Sequence, residues 1–286
     1  MKKVAIVGAG ISGLYLANEL NKNTEIDYKI FEKKDYLNLN DGYGIQLSVN
    51  SINLLNKIGF KNISASDVYY PTKVNFFQAN NIKKICEIDL KQFNNLNDRY
   101  TTLKRSTLIK FLIGNIPEEK IQFKADIQNI EYNEKIKISW NNKNESFDYI
   151  VIADGVFSKL KSQISNNHLN PIFNGNIALR ANLKQHEKDN ISVYMGSNFH
   201  YVTYPVNQKL EYNFVAIIKK KLTTKEIEDK NILNSETFIK SLKDFISQNS
   251  IINLESLANI KCFPVFVSTE LPLSLIHISE PTRHRR

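Results

Sequence analysis

Three glycines near the N-terminus have the spacing of a site that binds a phosphate group. Gly8, Gly10 and Gly13 lie between an apolar run and an amphipathic segment. This order predicts a strand, a tight turn and a helix. Gly8 allows the chain to reverse, Gly10 leaves the backbone open to a pyrophosphate, and Gly13 lets the helix lie close to the strand. Unpaired N–H groups at the start of the helix then stabilise the anion.

A carboxylate follows at the distance that a dinucleotide site requires. The segment Tyr28–Glu32 is a short apolar run that ends in Glu32, as expected for a β-α-β unit. Glu32 accepts hydrogen bonds from ribose hydroxyls and disfavours a 2′-phosphate, so the sequence predicts a site for FAD or NAD rather than NADP. The alternative is a secretory signal with Lys2 and Lys3 as its charged region, although no A-x-A-like cleavage site follows Ala17.

The composition is that of a globular protein. The chain has 286 residues, of which 42% are hydrophobic, enough for one large domain or two smaller ones. No apolar run approaches the about 20 residues that span a bilayer, so no integral membrane segment is predicted. Cys86 and Cys262 give neither a disulfide framework nor a metal site; we expect both to be small buried residues in a reducing cytoplasm.

The net charge does not indicate a nucleic-acid partner. Although the formal charge is +9, the lysines are scattered among asparagines and isoleucines rather than clustered with aromatic residues. A solvated lysine surface is the better interpretation.

Two kinds of pattern alternate along the rest of the chain. Helices are predicted from about Ser48 to Gly59 and from Arg105, and a parallel strand buried on both faces is predicted at 147–153. Antiparallel patterns occupy the other regions, with a hairpin formed by 73–78 and 82–90 and further strands from 172 to 218. Gly42–Leu47 is predicted as a short strand, and Thr223 with Glu226 has the spacing of a capping box. An apolar helical stripe is formed by Phe238, Leu242, Phe245 and Ile246.

Four features in a fixed order carry a family resemblance. They are Gly8-x-Gly10-x-x-Gly13, Glu32, Arg105-x-x-Leu108, and Asp154-Gly155 followed by Ser158. With them, the chain resembles the single-component FAD-dependent aromatic hydroxylases, the p-hydroxybenzoate hydroxylase-like family, from Met1 to about Phe266. The resemblance implies an α/β fold in which a Rossmann-like (GR2-type) FAD-binding domain, 1–70 and 99–170, is interleaved with an antiparallel-sheet substrate domain, 71–98 and 171–266.

The resemblance also implies roles for individual residues. The FAD pyrophosphate would be held by Gly8, Gly10, Ser12 and Gly13, the adenosine ribose by Glu32, and the flavin side by Arg105, with Gly44 and Ile45 near the ring. Asp154-Gly155 matches a second fingerprint that is linked to both FAD and NAD(P)H. Lys33, followed by another lysine, stands where many relatives have an arginine, which leaves the contact with the reductant open.

Arg180 and Tyr204 are the candidate substrate residues. Arg180 closes the predicted strand 176–180, and it either contacts substrate or faces water. The sequence is also compatible with Arg105 as a solvated surface residue, Asp154 as a helix cap, and the aromatic residues Tyr194, Phe199, Tyr201, Tyr204 and Phe214 as core. His168, His186 and His200 have no partners at metal or triad spacing and receive no role.

The function that the resemblance implies is hydroxylation of a small aromatic or heteroaromatic substrate with NAD(P)H and O₂, through a flavin 4a-hydroperoxide. This chemistry needs no side-chain nucleophile and no metal ion, in agreement with the lack of a triad or metal pattern; no catalytic residue is assigned. The alternatives are an amine oxidase-like flavoprotein, an NAD-dependent dehydrogenase and a nucleotide-binding protein without turnover. The sequence does not specify the substrate, the choice of NADH or NADPH, or the oligomeric state.

The C-terminal residues depart from the family pattern. After Phe266 the family continues into a Gly-Asp-Ala-Ala-His-like motif, whose aspartate binds the ribityl chain of FAD, and this sequence does not supply it. The stretch Leu273–Arg286 resembles translated adapter read-through, so 267–286 is interpreted as a non-native or disordered tail; a native basic tail is the alternative. We therefore expect an incomplete enzyme that holds FAD loosely, exposes apolar surface and dissolves poorly.

Overall fold

A computed structural model describes the protein at residues 1–39, 42–165, 170–183, 189–209 and 211–267. Of the predicted tail 267–286, only Val267 is among these residues, and it ends a strand. His168 and His186 also lie outside the described residues. No helix within the described ranges is long and apolar enough to cross a membrane.

Groups of strands are separated by helices along the described part of the chain. The strands are β1 Lys2–Val7, β2 Ile26–Phe31, β3 Gly44–Leu47, β4 Val68–Tyr69, β5 Lys73–Gln78, β6 Lys84–Asp89, β7 Thr101–Lys104, β8 Ile121–Gln122, β9 Asn129–Tyr132, β10 Ile136–Trp140, β11 Lys143–Phe147, β12 Tyr149–Ile152, β13 Ile172–Leu183, β14 Ile191–Met195, β15 Phe199–Pro205, β16 Tyr212–Lys219 and β17 Leu257–Val267. The helices are α1 Ile11–Leu20, α2 Val49–Asn56, α3 Arg105–Gly114, α4 Leu160–Ser165, α5 Thr224–Glu228, α6 Lys230–Leu233 and α7 Glu236–Asn249.

The chain forms two compact units, each made of segments that are not consecutive in the sequence. The first unit contains the described residues within 1–37, 112–172 and 266–286, and the second contains those within 38–111 and 173–265.

The first unit is built on a parallel sheet in the order β12-β1-β2-β8. In register, Val4 lies between Tyr28 of β2 and Tyr149 of β12, so the predicted strand, turn, helix and second parallel strand are confirmed. The antiparallel strands β9, β10 and β11 pack against one face of this sheet. There the rings of Phe31 and Trp140 meet edge to face, with their centroids 4.8 Å apart.

One strand of the first unit differs from its prediction. The run 147–153, predicted as one strand buried on both faces, divides between the end of β11 and the separate strand β12. Tyr149 and Val151 are 56% and 37% exposed, whereas Ile150 and Ile152 pack on the core. The prediction of burial on both faces was wrong: alternate side chains of a strand point to opposite faces, and only the face of β12 that carries Ile150 and Ile152 packs on the core.

The second unit contains a seven-stranded sheet in the order β17-β13-β16-β15-β14-β5-β6 and a three-stranded sheet in the order β3-β7-β4. The predicted hairpin is confirmed as the antiparallel pair β5 and β6. Helix α7 lays its predicted apolar stripe on one face of the large sheet, where Leu242 and Ile246 pack with Leu179 and Phe214. The predicted α/β fold, with a Rossmann-like parallel sheet and antiparallel sheets, is thereby confirmed.

Two predictions about the second unit need correction. Arg180 does not close a strand, because β13 runs from Ile172 to Leu183 and places it well inside. Cys86 is exposed, because it lies on β6 at the edge of the large sheet, whereas Cys262 is buried as expected.

Candidate functional site

Two positions in the turn after β1 require glycine. Gly8 has a φ of +107°, and a Cβ there would lie 2.5 Å from the carbonyl oxygen of Ala153. A Cβ on Gly13 would lie 2.0 Å from the carbonyl oxygen of Gly8 and 3.3 Å from Cγ2 of Ile6. These two glycines therefore allow the helix to begin directly against the strand ends.

Gly10 is different, because the protein leaves space beside it. A Cβ on Gly10 would meet only the carbonyl oxygen of Ala153, at 3.9 Å. Gly10 is also the N-cap of α1, and it makes no side-chain cap to the first N–H groups of the helix, where Ser12 is exposed. The loop thus presents the positive end of a helix toward open space, as a bound pyrophosphate requires.

Glu32 lies directly after β2 and is tied to the glycine loop. Its side chain is 8% exposed; Oε2 accepts a hydrogen bond from the N–H of Ala9 at 2.9 Å, and Oε1 accepts one from the N–H of Lys34 at 3.1 Å. A carboxylate has about four acceptor sites, so two backbone donors leave capacity for hydroxyl groups. Lys33, in contrast, is exposed.

The loop after β12 completes the first unit's group of residues. Oδ1 of Asp154 is buried and has no hydrogen-bond partner, and Gly155 has a φ of +95°. Asp154 does not cap α4. Instead, Oγ of Ser158 accepts a hydrogen bond of 3.3 Å from the N–H of Lys161 in the first turn of that helix. A buried carboxylate oxygen without a partner is suited to a ligand hydroxyl.

The predicted residues of the first unit therefore lie together at the carboxyl ends of its parallel strands. The glycine loop, Glu32 and Asp154 follow three neighbouring parallel strands, β1, β2 and β12, at their carboxyl ends. In open α/β sheets this edge is where ligands bind.

In the second unit, two side chains of the large sheet hold the backbone of Gly44. The N–H of Gly44 donates to Oδ1 of Asn213 at 2.7 Å, and Nη2 of Arg180 donates to the carbonyl oxygen of Gly44 at 3.1 Å. A Cβ on Gly44 would lie 2.6 Å from Cβ of Asn213 and 2.8 Å from Cε2 of Tyr204. Asn213 was missed by the sequence analysis, although a polar residue inside the apolar strand β16 was a signal.

Arg180 lies at one end of a row of side chains that crosses the large sheet. On the neighbouring strand β16, Val215 lies opposite Arg180. The row continues through Val202 on β15 and Val193 on β14 to Phe76 on β5. All five are half-buried. The face that carries this row is the one opposite α7, so it offers apolar surface that ends in a guanidinium group.

The guanidinium of Arg180 is partly engaged by the protein. It stacks 5.3 Å from the ring centre of Tyr43, and its Nε is buried without a hydrogen-bond partner. Tyr204 is 2% exposed; burial raises the pKa of its phenol, and its neighbours include Arg180 and Gln46. The other four aromatic candidates, Tyr194, Phe199, Tyr201 and Phe214, are buried in the core.

The remaining predicted residues of the second unit lie at element ends. Arg105 is the first residue of α3, as predicted, and its side chain is exposed; its N–H donates to the carbonyl oxygen of Tyr43 at 3.0 Å. Ile45 is half-buried in β3. His200 lies on the strand β15, half-buried, and burial lowers the pKa of its imidazole.

The N-terminal segment matches a known family model. Residues 6–40 match the NAD(P)-binding Rossmann-like domain. This match covers the glycine loop and the acidic residue that follows β2.

Curated relatives include a hydroxylase and an FAD-dependent monooxygenase. A salicylate hydroxylase of Pseudomonas putida is 24% identical over 237 residues, which are 75% of this chain and 54% of the relative. An FAD-dependent monooxygenase of Gibberella zeae is 24% identical over 170 residues, which are 57% of this chain and 36% of the relative. The chain thus spans about half, or less, of the length of these relatives.

Solved structures share the fold. HpxO of Klebsiella pneumoniae, in complex with FAD and uric acid, superposes with a TM-score of 0.78 at 14% identity, over 94% of this chain and 69% of that one. Together with the sequence matches, this shared fold confirms the predicted resemblance to the FAD-dependent aromatic hydroxylases.

Proposed function

We propose that this chain comes from an NAD(P)H-dependent FAD monooxygenase that hydroxylates a small aromatic or heteroaromatic compound. The observation that supports it most is the group at the carboxyl ends of β1, β2 and β12. There an uncapped helix start faces open space beside Gly10, and two carboxylates, Glu32 and Asp154, have unused acceptor capacity.

These residues fit FAD in chemistry as well as in arrangement. The N–H groups after Gly10 bind the pyrophosphate. Glu32 and Asp154 accept hydrogen bonds from hydroxyl groups of the ribose and of the ribityl chain or reductant. In the second unit, Gly44, Ile45 and Arg105 are assigned to the flavin side on the family resemblance. Bound FAD supplies the redox chemistry between NAD(P)H, O₂ and the substrate.

The substrate is held, in this proposal, on the face of the large sheet opposite α7. A planar ring lies along the row of valines, and Arg180 binds an anionic or carbonyl group at its edge, with Tyr204 behind it. The names of the relatives support a substrate of this class, since salicylate and uric acid are planar and carry such groups. The protein's own contribution is to orient this ring and to keep water from it.

The test has two stages. Titration of the 286-residue chain into FAD gives a saturable change in flavin fluorescence and a shifted flavin absorption band; unchanged flavin fluorescence at high protein concentration would overturn the proposal. A version extended with a relative's C-terminal portion then oxidises NADH or NADPH with a member of a ring-compound panel, and mass spectrometry finds a product heavier by one oxygen atom. Oxygen consumption with amines in the absence of NAD(P)H would favour an amine oxidase instead.

A further inference from the structure

We infer that Asn213 is a positioning residue for β3, the strand that carries Gly44 and Ile45. The inference rests on the proposed function, which assigns these two residues to the flavin side. Asn213 is 1% exposed on β16, and its Oδ1 accepts the N–H of Gly44 at 2.7 Å. The hydrogen bond joins residues that are 169 positions apart in the sequence.

The bond matters because β3 is an edge strand. In the order β3-β7-β4, one edge of β3 has no neighbouring strand within its own sheet. Asn213 binds the N–H of Gly44 on that edge and Arg180 binds its carbonyl oxygen, so side chains take the place of a partner strand. Each of these side chains comes from a different strand of the large sheet, β16 or β13.

The close approach between β3 and β16 requires a glycine at position 44. Because Gly44 has no side chain, its backbone lies where a Cβ would be only 2.6 Å from Cβ of Asn213. The Nδ2 of Asn213 is buried without a hydrogen-bond partner, which lowers stability. Stability alone does not account for an amide at this position, whereas fixing the Gly44 backbone does.

The test uses three variants of the 286-residue chain. Asn213→Leu removes the acceptor and keeps the branching at Cγ, and Asn213→Asp keeps an oxygen in its place. Asn182→Leu is the matched control, because Asn182 lies opposite Asn213 in register on β13. Asn213→Ala, whose side chain has no acceptor, serves if the leucine variant does not fold.

Two readouts separate positioning from a general structural role. The first is hydrogen exchange of the Gly44 amide without FAD, which we expect to accelerate about tenfold in Asn213→Leu, the equivalent of one hydrogen bond. The second is the absorption spectrum and Kd of FAD, with a shifted band and about tenfold weaker binding expected on the same grounds. Asn213→Asp restores both readouts toward the wild type, and Asn182→Leu alters neither.

Each outcome decides the inference. Equal Gly44 exchange in Asn213→Leu and Asn182→Leu would show that Asn213 does not hold β3. Faster exchange with a wild-type flavin spectrum and Kd would show that the contact is structural only. Failure of the wild-type chain to bind FAD would overturn the proposed function, and that result is independent of the exchange comparison.

Discussion

Replacing Gly10 by valine separates ligand binding from folding in the glycine loop. The backbone at Gly10 has φ −79° and ψ −177°, an extended conformation that any residue adopts. A Cβ there would contact only one protein atom, at the ordinary distance of 3.9 Å. We therefore expect the Gly10→Val chain to fold, with a side chain in the space assigned to the pyrophosphate.

The size of the effect follows from the bonds that valine blocks. Loss of one charge-assisted hydrogen bond to the pyrophosphate costs about 1.5–3 kcal/mol, which weakens FAD binding by about 10- to 150-fold. The free energy of unfolding without FAD changes by about 1 kcal/mol at most, because a poorer N-cap and a less flexible unfolded chain have opposite effects. Gly13→Ala is the contrast: its Cβ would lie 2.0 Å from a carbonyl oxygen.

Two measurements on each variant test this reasoning. Flavin fluorescence during titration gives the Kd of FAD, and thermal unfolding without FAD gives Tm. We expect Gly10→Val to lose affinity at nearly unchanged Tm, and Gly13→Ala to lose about 1–3 kcal/mol of stability by overpacking. A Gly10→Val chain with wild-type affinity, or one as unstable as Gly13→Ala, would refute the assignment of the loop.

Three further predictions concern single side chains. Glu32→Ala removes the acceptor of the Ala9 N–H and of the ribose, so the Kd of FAD measured by titration should rise about tenfold or more. Hydrogen bonds from three asparagine amides lower the pKa of buried Asp98. The stability that this carboxylate adds to the fold is therefore complete above about pH 4 and is lost as the pH falls through the folded-state pKa. Asp98→Asn should lower Tm at pH 7 and flatten the decline of Tm in acid. Burial raises the pKa of the Cys262 thiol to about 12, so Ellman's reagent should titrate Cys86 in the native chain and both thiols after denaturation.

Local signals made much of the fold predictable. Gly59 has the left-handed φ of +94° that its position after a helical run indicated, and Thr223 and Glu226 form the predicted capping box. The spacing between Gly13 and Glu32 is set by one helix and one strand, so the parallel pairing of β1 and β2 followed from the sequence. Each of these features depends on residues close together in the chain.

Features that depend on strand order were not predictable from the sequence. The exposure of Tyr149 depends on which face of β12 is covered by other elements, which a run of apolar residues does not encode. The contact between Gly44 and Asn213 depends on which strand crosses which sheet, and no local pattern specifies that. The binding roles of Gly44, Arg105 and Arg180 stay predictions that rest on the resemblance and on the proposed function.

The interleaved construction of the two units has a consequence for protein synthesis. Strand β1 pairs with β12, and Val4 and Tyr149 are about 145 residues apart. At a translation rate of about 5–20 residues per second, roughly 7–30 s pass before that partner leaves the ribosome. Throughout this interval one edge of the apolar segment Lys2–Val7 has no native partner, so that edge stays open to non-native pairing even after β1 has paired with β2.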